Sequence, residues 1–334
     1  MIKVLELFAG IGACSKALTN LKIEHEIVDA VEIDKYAIES FNAIHGTDFK
    51  PQDITKWDKD IECDLIMHGS PCQDFSVAGK GAGGDKGSGT RSSLMYETIR
   101  IVDKLRPKYV IWENVKNLLS EKHRPNFEAY QKAIADLGYK NFVSVLNAKD
   151  YGIPQNRERV FTVSIRRDDG DPTYTFPKGR KLRKTLSSLL DETVDSKYYI
   201  SDDKLKNVKI VTPKISKTIR AGGRGSLDRH TWDVVRVGGL YDKNGSKHQA
   251  GSIYDPRGIV GTLSTMQGGN QEPIVVYPKP KVRRLTPKEC WRLMGFSDGD
   301  FRKARKKNSD TQLYKQAGNS ICVAVLEAIL RNLL

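Results

Sequence analysis

Residues 1–165 predict an α/β fold, a mostly parallel and doubly wound sheet, and the rest of the chain predicts a smaller, loop-rich domain. Three observations carry this. Short apolar runs at 3–8, 27–31, 65–68, 109–113, 142–146 and 160–165 alternate with helical spacing at 13–21, 36–44, 94–105 and 127–137. Such alternation places helices on both faces of a parallel sheet. From about residue 166 the pattern weakens to short strand candidates at 198–200, 208–211, 234–237 and 274–277, separated by Gly, Pro and Asp. Finally, 334 residues suffice for about two units with ample buried core.

Within the helical stretches, Leu94, Ile101, Val102 and Leu105 form one stripe of ordinary core character. Residues 286–294 and 321–334 read as helical again, with Thr286 as N-cap and Pro287 at the first position. No internal repeat is present. The one biased segment is 77–90, where six of fourteen residues are Gly, a composition suited to a mobile lid.

Composition narrows the function classes. At 39% hydrophobic residues the chain is expected to be globular, and no apolar run reaches the length of a membrane span. The start MIKVLELFAG lacks the regions of a signal peptide, so a soluble cytoplasmic enzyme is expected. Cysteines at 14, 63, 72, 290 and 322 show no CxxC spacing, so neither a disulfide framework nor a metal site is expected. The formal charge of +14 is unevenly spread: 1–165 carries 22 basic and 23 acidic residues, 166–282 carries 22 and 13, and 283–334 carries 11 and 5. A near-neutral first half and a basic second half suggest chemistry in one and polyanion binding in the other. Ordinary solubilising surface charge is the alternative reading.

The first apolar run enters Phe8-Ala9-Gly10-Ile11-Gly12, and glycines at a strand-to-helix turn let a ligand approach the backbone at the sheet edge. The full GxGxxG fingerprint is absent. Glu32 lies about twenty residues on, where a carboxylate can accept from ribose hydroxyls, and Asp53, placed after a third short strand, could bond an adenine amine. Together they suggest a nucleoside-containing cofactor. Gly69-Ser70-Pro71-Cys72-Gln73-Asp74-Phe75-Ser76 follows the run 65–68, which sets a thiol at the same edge. A lone Cys is most often an inert apolar residue, but the Pro, the polar neighbours and the Gly-rich stretch argue against a core position here. Glu113, in Trp112-Glu113-Asn114-Val115, ends the next run and is a candidate general acid beside Cys72.

In this order Phe8 to Gly12, Pro71-Cys72-Gln73, Glu113-Asn114-Val115, Gln155-Asn156-Arg157-Glu158-Arg159 and Gly318-Asn319-Ser320 resemble the cytosine-5 DNA methyltransferase family of bacteria and phages. Arg284-Leu285-Thr286-Pro287 with Glu289, Arg292 and Gly295-Phe296 extends the match over nearly the whole chain. One family feature is altered: the usual glycine pair after the first strand reads Gly12-Ala13. Residues of about 170–275 fall outside the motifs, where that family varies.

The resemblance implies a Rossmann-like methyltransferase domain with a smaller target recognition domain. It implies that a methyl group passes from S-adenosylmethionine, leaving S-adenosylhomocysteine, to carbon 5 of a cytosine flipped out of a specific duplex. Cys72 would add covalently to carbon 6. Glu113 would protonate or bond ring nitrogen 3 and the exocyclic amine, Arg159 and secondarily Arg157 would hold the carbonyl oxygen, and Asn114 would orient Glu113 or the base. The cofactor pocket would comprise Phe8, Ala9, Gly10, Ile11, Gly12, Glu32, Ile33, Asp53, Ile54, Pro71, Leu94, Asn319 and Ser320. Asn319 is distant in sequence, which requires 1–165 and 300–334 to form the catalytic domain around an inserted target domain and hinge at 166–299.

DNA contacts are expected from Gln73, Ser76, Lys80 and Arg91 near the lid, and from Arg220, Arg224, Arg229, Arg236, Asn270 and Gln271 in polar, Gly-flanked loops. The implied setting is a monomer in a bacterial cytoplasm, nucleoid-associated while acting, either host- or phage-encoded. A cognate restriction endonuclease would share the system without direct contact, and no membrane would be involved. The alternatives are a tRNA cytosine-5 methyltransferase on the same scaffold, a non-enzymatic DNA-binding protein and a nicotinamide dehydrogenase.

Overall fold

The chain is described here by a computed structural model covering residues 1–71, 94–168, 170–206, 208, 210, 236–241, 251–266, 272–277 and 281–334. Its first part alternates as expected: β1 (Ile2–Leu7), α1 (Ala13–Leu21), β2 (His25–Val31), α2 (Lys35–His45), β3 (Leu65–His68), α3 (Met95–Leu105), β4 (Tyr109–Val115), α4 (Arg124–Asp136) and β5 (Tyr139–Asn147). A two-residue β6 (Gln155–Asn156) then precedes β7 (Glu158–Arg166). These strands, β6 apart, form one sheet in the order β2-β1-β3-β4-β7-β5. β1 to β4 run parallel, and β7 is antiparallel to both β4 and β5.

Successive strand residues feed opposite faces, as the pleat requires. Val4, Leu65, Met67, Ile111 and Phe161 join Ala17 and Leu18 of α1 in one buried cluster. Their sequence neighbours Leu5, Ile66, Val110 and Trp112 join Ile101 and Val102 of α3 and Tyr130 and Ile134 of α4 in another. Both faces of the sheet are therefore covered, and each such side chain contributes about 1.5–3 kcal/mol by leaving water.

Beyond β7 come α5 (Asp202–Leu205), β8 (Arg236–Gly239), β9 (Ser252–Tyr254), β10 (Val260–Gly261), β11 (Ile274–Val276) and β12 (Val282–Arg284). A second sheet has the order β12-β11-β9-β8, and β10 pairs with β6. The run at 198–200 is no strand; it makes a short helical turn and a single bridge from Tyr199 to Arg283. Of the run at 208–211, Lys209 and Val211 lie outside the described residues. The strand expected at 234–237 occupies Arg236–Gly239.

The chain ends in α6 (Pro287–Arg292), α7 (Asp298–Arg305), α8 (Asp310–Asn319) and α9 (Val323–Leu333). Thr286 and Glu289 form the capping box of α6, with Pro287 at its start, and Ser297 and Asp300 cap α7 in the same way. Glu289 also neutralises a buried cation, since both its oxygens bond the fully buried Arg283, at 2.7 and 2.9 Å. Arg292 holds Asp298 and Asp191. The Arg-Leu-Thr-Pro stretch thus has an internal architectural role.

No clean division falls at residue 299. The second sheet has its own small cluster of Val237, Ile253, Ile274, Val276 and Val282. Leu285, Cys290, Trp291, Leu293, Met294 and Phe296 instead share the large cluster with α1 and α9, and so do Leu186, Tyr254, Leu263 and Val275.

Candidate active site

The carboxyl ends of β1, β3 and β4 open on a cleft lined by Glu6 to Gly10, Ala13, Met67, Gly69, Glu113 and 319–321. The turn after β1 supplies its floor. Phe8 sits at φ 53°, a left-handed conformation that costs a non-glycine residue about 1–3 kcal/mol and must be held by its surroundings. Gly10 and Gly12 also have positive φ, for opposite reasons. A Cβ on Gly10 would meet no described residue within 4 Å, so the turn leaves open space where a ligand can approach the backbone. A Cβ on Gly12 would stand 2.2 Å from His45 Nε2. Burial holds the His45 imidazole down to about 4. Ile11 is core and faces away from the cleft, so only its backbone belongs to the turn.

Glu6 was missed by sequence reasoning, although a lone acid inside the apolar run KVLELF signals a buried charge that needs partners. Its carboxylate takes the backbone N–H of Ser15 at 2.9 Å and of Cys14 at 3.4 Å, and the Ser15 hydroxyl as well. It therefore caps α1 from the strand. Burial nonetheless pushes its pKa up.

Glu32 follows β2 and anchors the glycine turn, with Oε2 accepting from Gly10 N at 3.0 Å and Oε1 from Asp34 N at 2.8 Å. Burial raises its pKa, against those two backbone donors. Each oxygen keeps a further lone pair for a diol. Beside it Ile33 is 71% exposed, an apolar surface suited to a base. Asp53 lies between α2 and β3, not after a third strand. It caps a short turn, with Oδ1 accepting from Thr55 N and Oγ1, which lower its pKa. Ile54 is buried in the core, so its side chain cannot line the cleft. Gln52 N donates to Glu32 O at 2.8 Å, which brings the Asp53 turn beside Glu32. Pro71 and Leu94 are half-buried at the two ends of the undescribed stretch, Asn319 is exposed and Ser320 is buried.

Glu113 and Arg159 meet because β4 and β7 are antiparallel. Glu113 pairs with Phe161, so Arg159, two residues away, is its diagonal neighbour on the same face. Arg159 Nε stands 3.1 Å from Glu113 Oε1. The N–H is aimed off that oxygen, which has no directed hydrogen bond among the described residues. Burial pushes the Glu113 pKa up, opposed by Arg159 and then Arg157. Gly69 seats this pair against the chain leaving β3, since a Cβ there would stand 3.2 Å from Ile321 Cδ1 and 3.7 Å from Glu113 Oε2. A buried carboxyl inclined to keep its proton, next to a fixed cation, can donate to a ring nitrogen and hold a neighbouring carbonyl oxygen.

Two motif side chains, Asn114 and Arg157, are engaged by the protein itself. Asn114 does not orient Glu113: its amide lies 3.4 Å from both the Ser70 carbonyl and hydroxyl, while Trp112 Nε1 donates to the same hydroxyl at 3.0 Å. Arg157 does not face the cleft with Arg159. It is buried and donates to the carbonyls of Leu263, Gly318 and Ser320 at 2.9–3.2 Å.

Cys72, Gln73, Ser76, Lys80, Arg91, Arg220, Arg224, Arg229, Asn270 and Gln271 lie outside the described residues. Arg236 is described, and its Nε donates to Ser252 Oγ at 3.0 Å within the second sheet. The four described cysteines, Cys14, Cys63, Cys290 and Cys322, are free and buried. Burial pushes the Cys322 thiol up to about 11 and Cys63 to about 12, and raises the other two well above the ordinary value. No helix among the described residues is long and apolar enough to cross a membrane.

A family profile described as C-5 cytosine-specific DNA methylase matches residues 2–334. The type II methyltransferase M2.ScrFI of Lactococcus lactis subsp. cremoris is 33% identical over the whole of this chain and 99% of its own length. The type II methyltransferase M.HhaI of Haemophilus parahaemolyticus is 34% identical, covering 99% of this chain and 94% of its own. Among solved structures, the Dnmt2 methyltransferase of S. pombe superposes with a TM-score of 0.70 at 20% identity, covering 99% of this chain and 97% of that one, a likeness of fold.

Proposed function

From a chain that belongs to the C-5 cytosine-specific DNA methylase family, and is therefore a DNA cytosine-5 methyltransferase, we propose a residue-level mechanism resting on the Glu113–Arg159 pair. The family uses S-adenosylmethionine, and the cleft suits it. The open space at Gly10 admits a ligand to the backbone, Glu32 has lone pairs for the ribose hydroxyls, and Ile33 offers a face for the adenine. Phe8, Ala9, Asp53, Pro71, Leu94, Asn319 and Ser320 complete the proposed pocket, with Ile11, Gly12 and Ile54 acting through the backbone or the fold. When bound, S-adenosylmethionine supplies an electrophilic methyl group on sulfonium.

Carbon 5 of cytosine is a poor nucleophile until a group adds at carbon 6. Cys72 is the thiol for that addition; the four described thiols are buried and held protonated at neutral pH. As its sulfur adds, Glu113 gives a proton to ring nitrogen 3 and accepts from the exocyclic amine with Oε1, while Arg159 holds the carbonyl oxygen. The enamine so formed makes carbon 5 the acceptor of the methyl group. Loss of the carbon 5 proton to a base then expels the Cys72 thiolate, and ring nitrogen 3 returns its proton to Glu113. A stacked cytosine exposes none of these atoms, so the base is flipped at a cost of a few kcal/mol. Asn114 and Arg157 are positioning residues, the first for the chain entering Cys72 and the second for the Ser320 segment.

We assign sequence choice to residues 170–275 and place the enzyme in a restriction–modification setting, as the type II names of its relatives suggest. Bisulfite sequencing of duplex DNA after incubation with the protein and S-adenosylmethionine, beside tRNA treated alike, tests the reading. Conversion-resistant cytosines at one repeated duplex sequence are expected. Modification of tRNA with none in the duplex would overturn it.

A further inference from the structure

Residues 178–184 read Lys-Gly-Arg-Lys-Leu-Arg-Lys, five cations in seven residues, and none belongs to the catalytic motifs. Lys178, Arg180, Lys181, Arg183 and Lys184 are all exposed, on a stretch without regular secondary structure. None of these side chains makes an ion pair or hydrogen bond with a described residue. The other dense basic run, 302–307, differs: Lys303 donates to the Ile44 carbonyl and Arg305 pairs with Asp310. Like charges this close repel one another, so an unneutralised cluster held in place costs stability and needs a reason.

The run is held in place. Arg180 N donates to the Asp150 carbonyl at 2.9 Å, and Tyr151 Oη donates to the Pro177 carbonyl at 2.8 Å. Gly179 lies so close that a Cβ would stand 2.8 Å from Asp150 Cβ, so the lack of a side chain there brings the backbone in. Downstream, Leu186 N and Ser187 N donate to the carbonyls of Gly258 and Pro256. The five side chains therefore project from an anchored strap.

The strap lies at the catalytic edge of the sheet. β7 ends at Arg166, at the other end of the sheet from the cleft, and the chain then passes α9, where the Tyr174 hydroxyl donates to Ile329 O and the Asn332 amide to Thr175 O. Asp150, its anchor, follows Asn147 of β5, which pairs with Glu158 next to Arg159. Strap, Glu113 and Arg159 thus share one end of the sheet.

We propose that residues 178–184 form a phosphate-binding strap that grips the backbone of duplex DNA beside the active site, without reading bases. The inference rests on the DNA methyltransferase reading above. Seven extended residues reach at most about 23 Å. One DNA strand carries about six or seven phosphates over that axial length, at about 3.4 Å each. Exposed Lys and Arg without internal partners are free to displace the counterions of those phosphates.

The test is a salt titration of binding to a target duplex, a non-target duplex and a tRNA, comparing wild type with K178Q/R180Q/K181Q/R183Q/K184Q. Each lost phosphate contact lowers the slope of log affinity against log salt by about 0.9, so three to five contacts lower it by about 3 to 4.5, equally on both duplexes. The double variant R183Q/K184Q, farther from the Asp150 anchor, should lower it by about 1.8. It decides the matter if the fivefold variant does not fold. Wild-type slopes in a folded variant overturn the strap alone, as does a loss confined to tRNA. Failure of the wild-type protein to bind either duplex overturns the functional reading and the strap with it.

Discussion

Gly318 lies directly against the backbone of Ser264: a Cβ on Gly318 would stand 1.9 Å from Ser264 O and 2.6 Å from Thr265 Cα. Its φ is unremarkable, so the constraint is space. Here the C-terminal α8, which delivers Asn319 and Ser320 to the cleft, meets the segment that follows β10. Gly318→Ala should therefore overpack a backbone contact, at a cost of about 1–3 kcal/mol or more. At about 2–4 °C per kcal/mol for a chain of this size, melting should fall by several degrees, with weakened cofactor affinity. An Ala variant with wild-type melting and affinity would show that the two segments part easily.

Arg157 secures the same junction through the carbonyls of Leu263, Gly318 and Ser320. Arg157→Ala should destabilise by more than the loss of one charged hydrogen bond, about 1.5–3 kcal/mol, since three buried acceptors lose their donor. Arg157→Lys should recover part of the melting temperature. If both variants melt like wild type while methylation alone collapses, Arg157 touches the base directly and the positioning role is wrong.

For Glu113 burial raises the folded pKa above the unfolded value, about 4.3 for a free glutamate. Its contribution to stability is thus fully present below the unfolded value and is lost as pH rises through the folded one. Glu113→Gln stays neutral throughout, so the variant should melt above wild type at pH 8, with the gap closing toward pH 4. Its methylation rate should fall by about 10²–10⁴. A rate within threefold of wild type, read in a steady-state assay, would remove Glu113 from the chemistry; a melting gap that widens toward acid would contradict the burial argument.

Asn114 and Trp112 converge on Ser70, two residues before Cys72. Ser70→Ala leaves the Trp112 indole N–H without that acceptor, at about 1–3 kcal/mol. The loss should appear in the turnover number, with the dissociation constant of S-adenosylmethionine little changed. An unchanged turnover number would show that the loop entering Cys72 is placed by other contacts.

Much of this was legible in the sequence because period and punctuation reveal backbone. The alternation of apolar runs located the sheet and its helices, and Thr286-Pro287 marked the start of α6. The motif residues Glu113 and Arg159, on the neighbouring strands β4 and β7, meet because register sets them diagonally. What escaped was tertiary. Glu6 caps a helix across a turn, Asn114 serves Ser70 rather than Glu113, and Arg157 binds carbonyls from two distant segments. Local pattern does not encode such partners. Ile54 sits beside the motif residue Asp53, yet its side chain belongs to the core. Sequence pattern does not separate α7 from α8, because the charged stretch 298–310 interrupts the apolar period there.

The proposed mechanism turns on a covalent bond between Cys72 and carbon 6 of the target cytosine. Incubating the protein and S-adenosylmethionine with a duplex carrying 5-fluorocytosine at the methylated position tests it most directly, because fluorine cannot leave as the carbon 5 proton does. A denaturant-stable protein–DNA adduct is expected, mapped by mass spectrometry to Cys72 and absent from Cys72→Ala. No adduct from an enzyme that methylates the unmodified duplex, or an adduct at another residue, would contradict it.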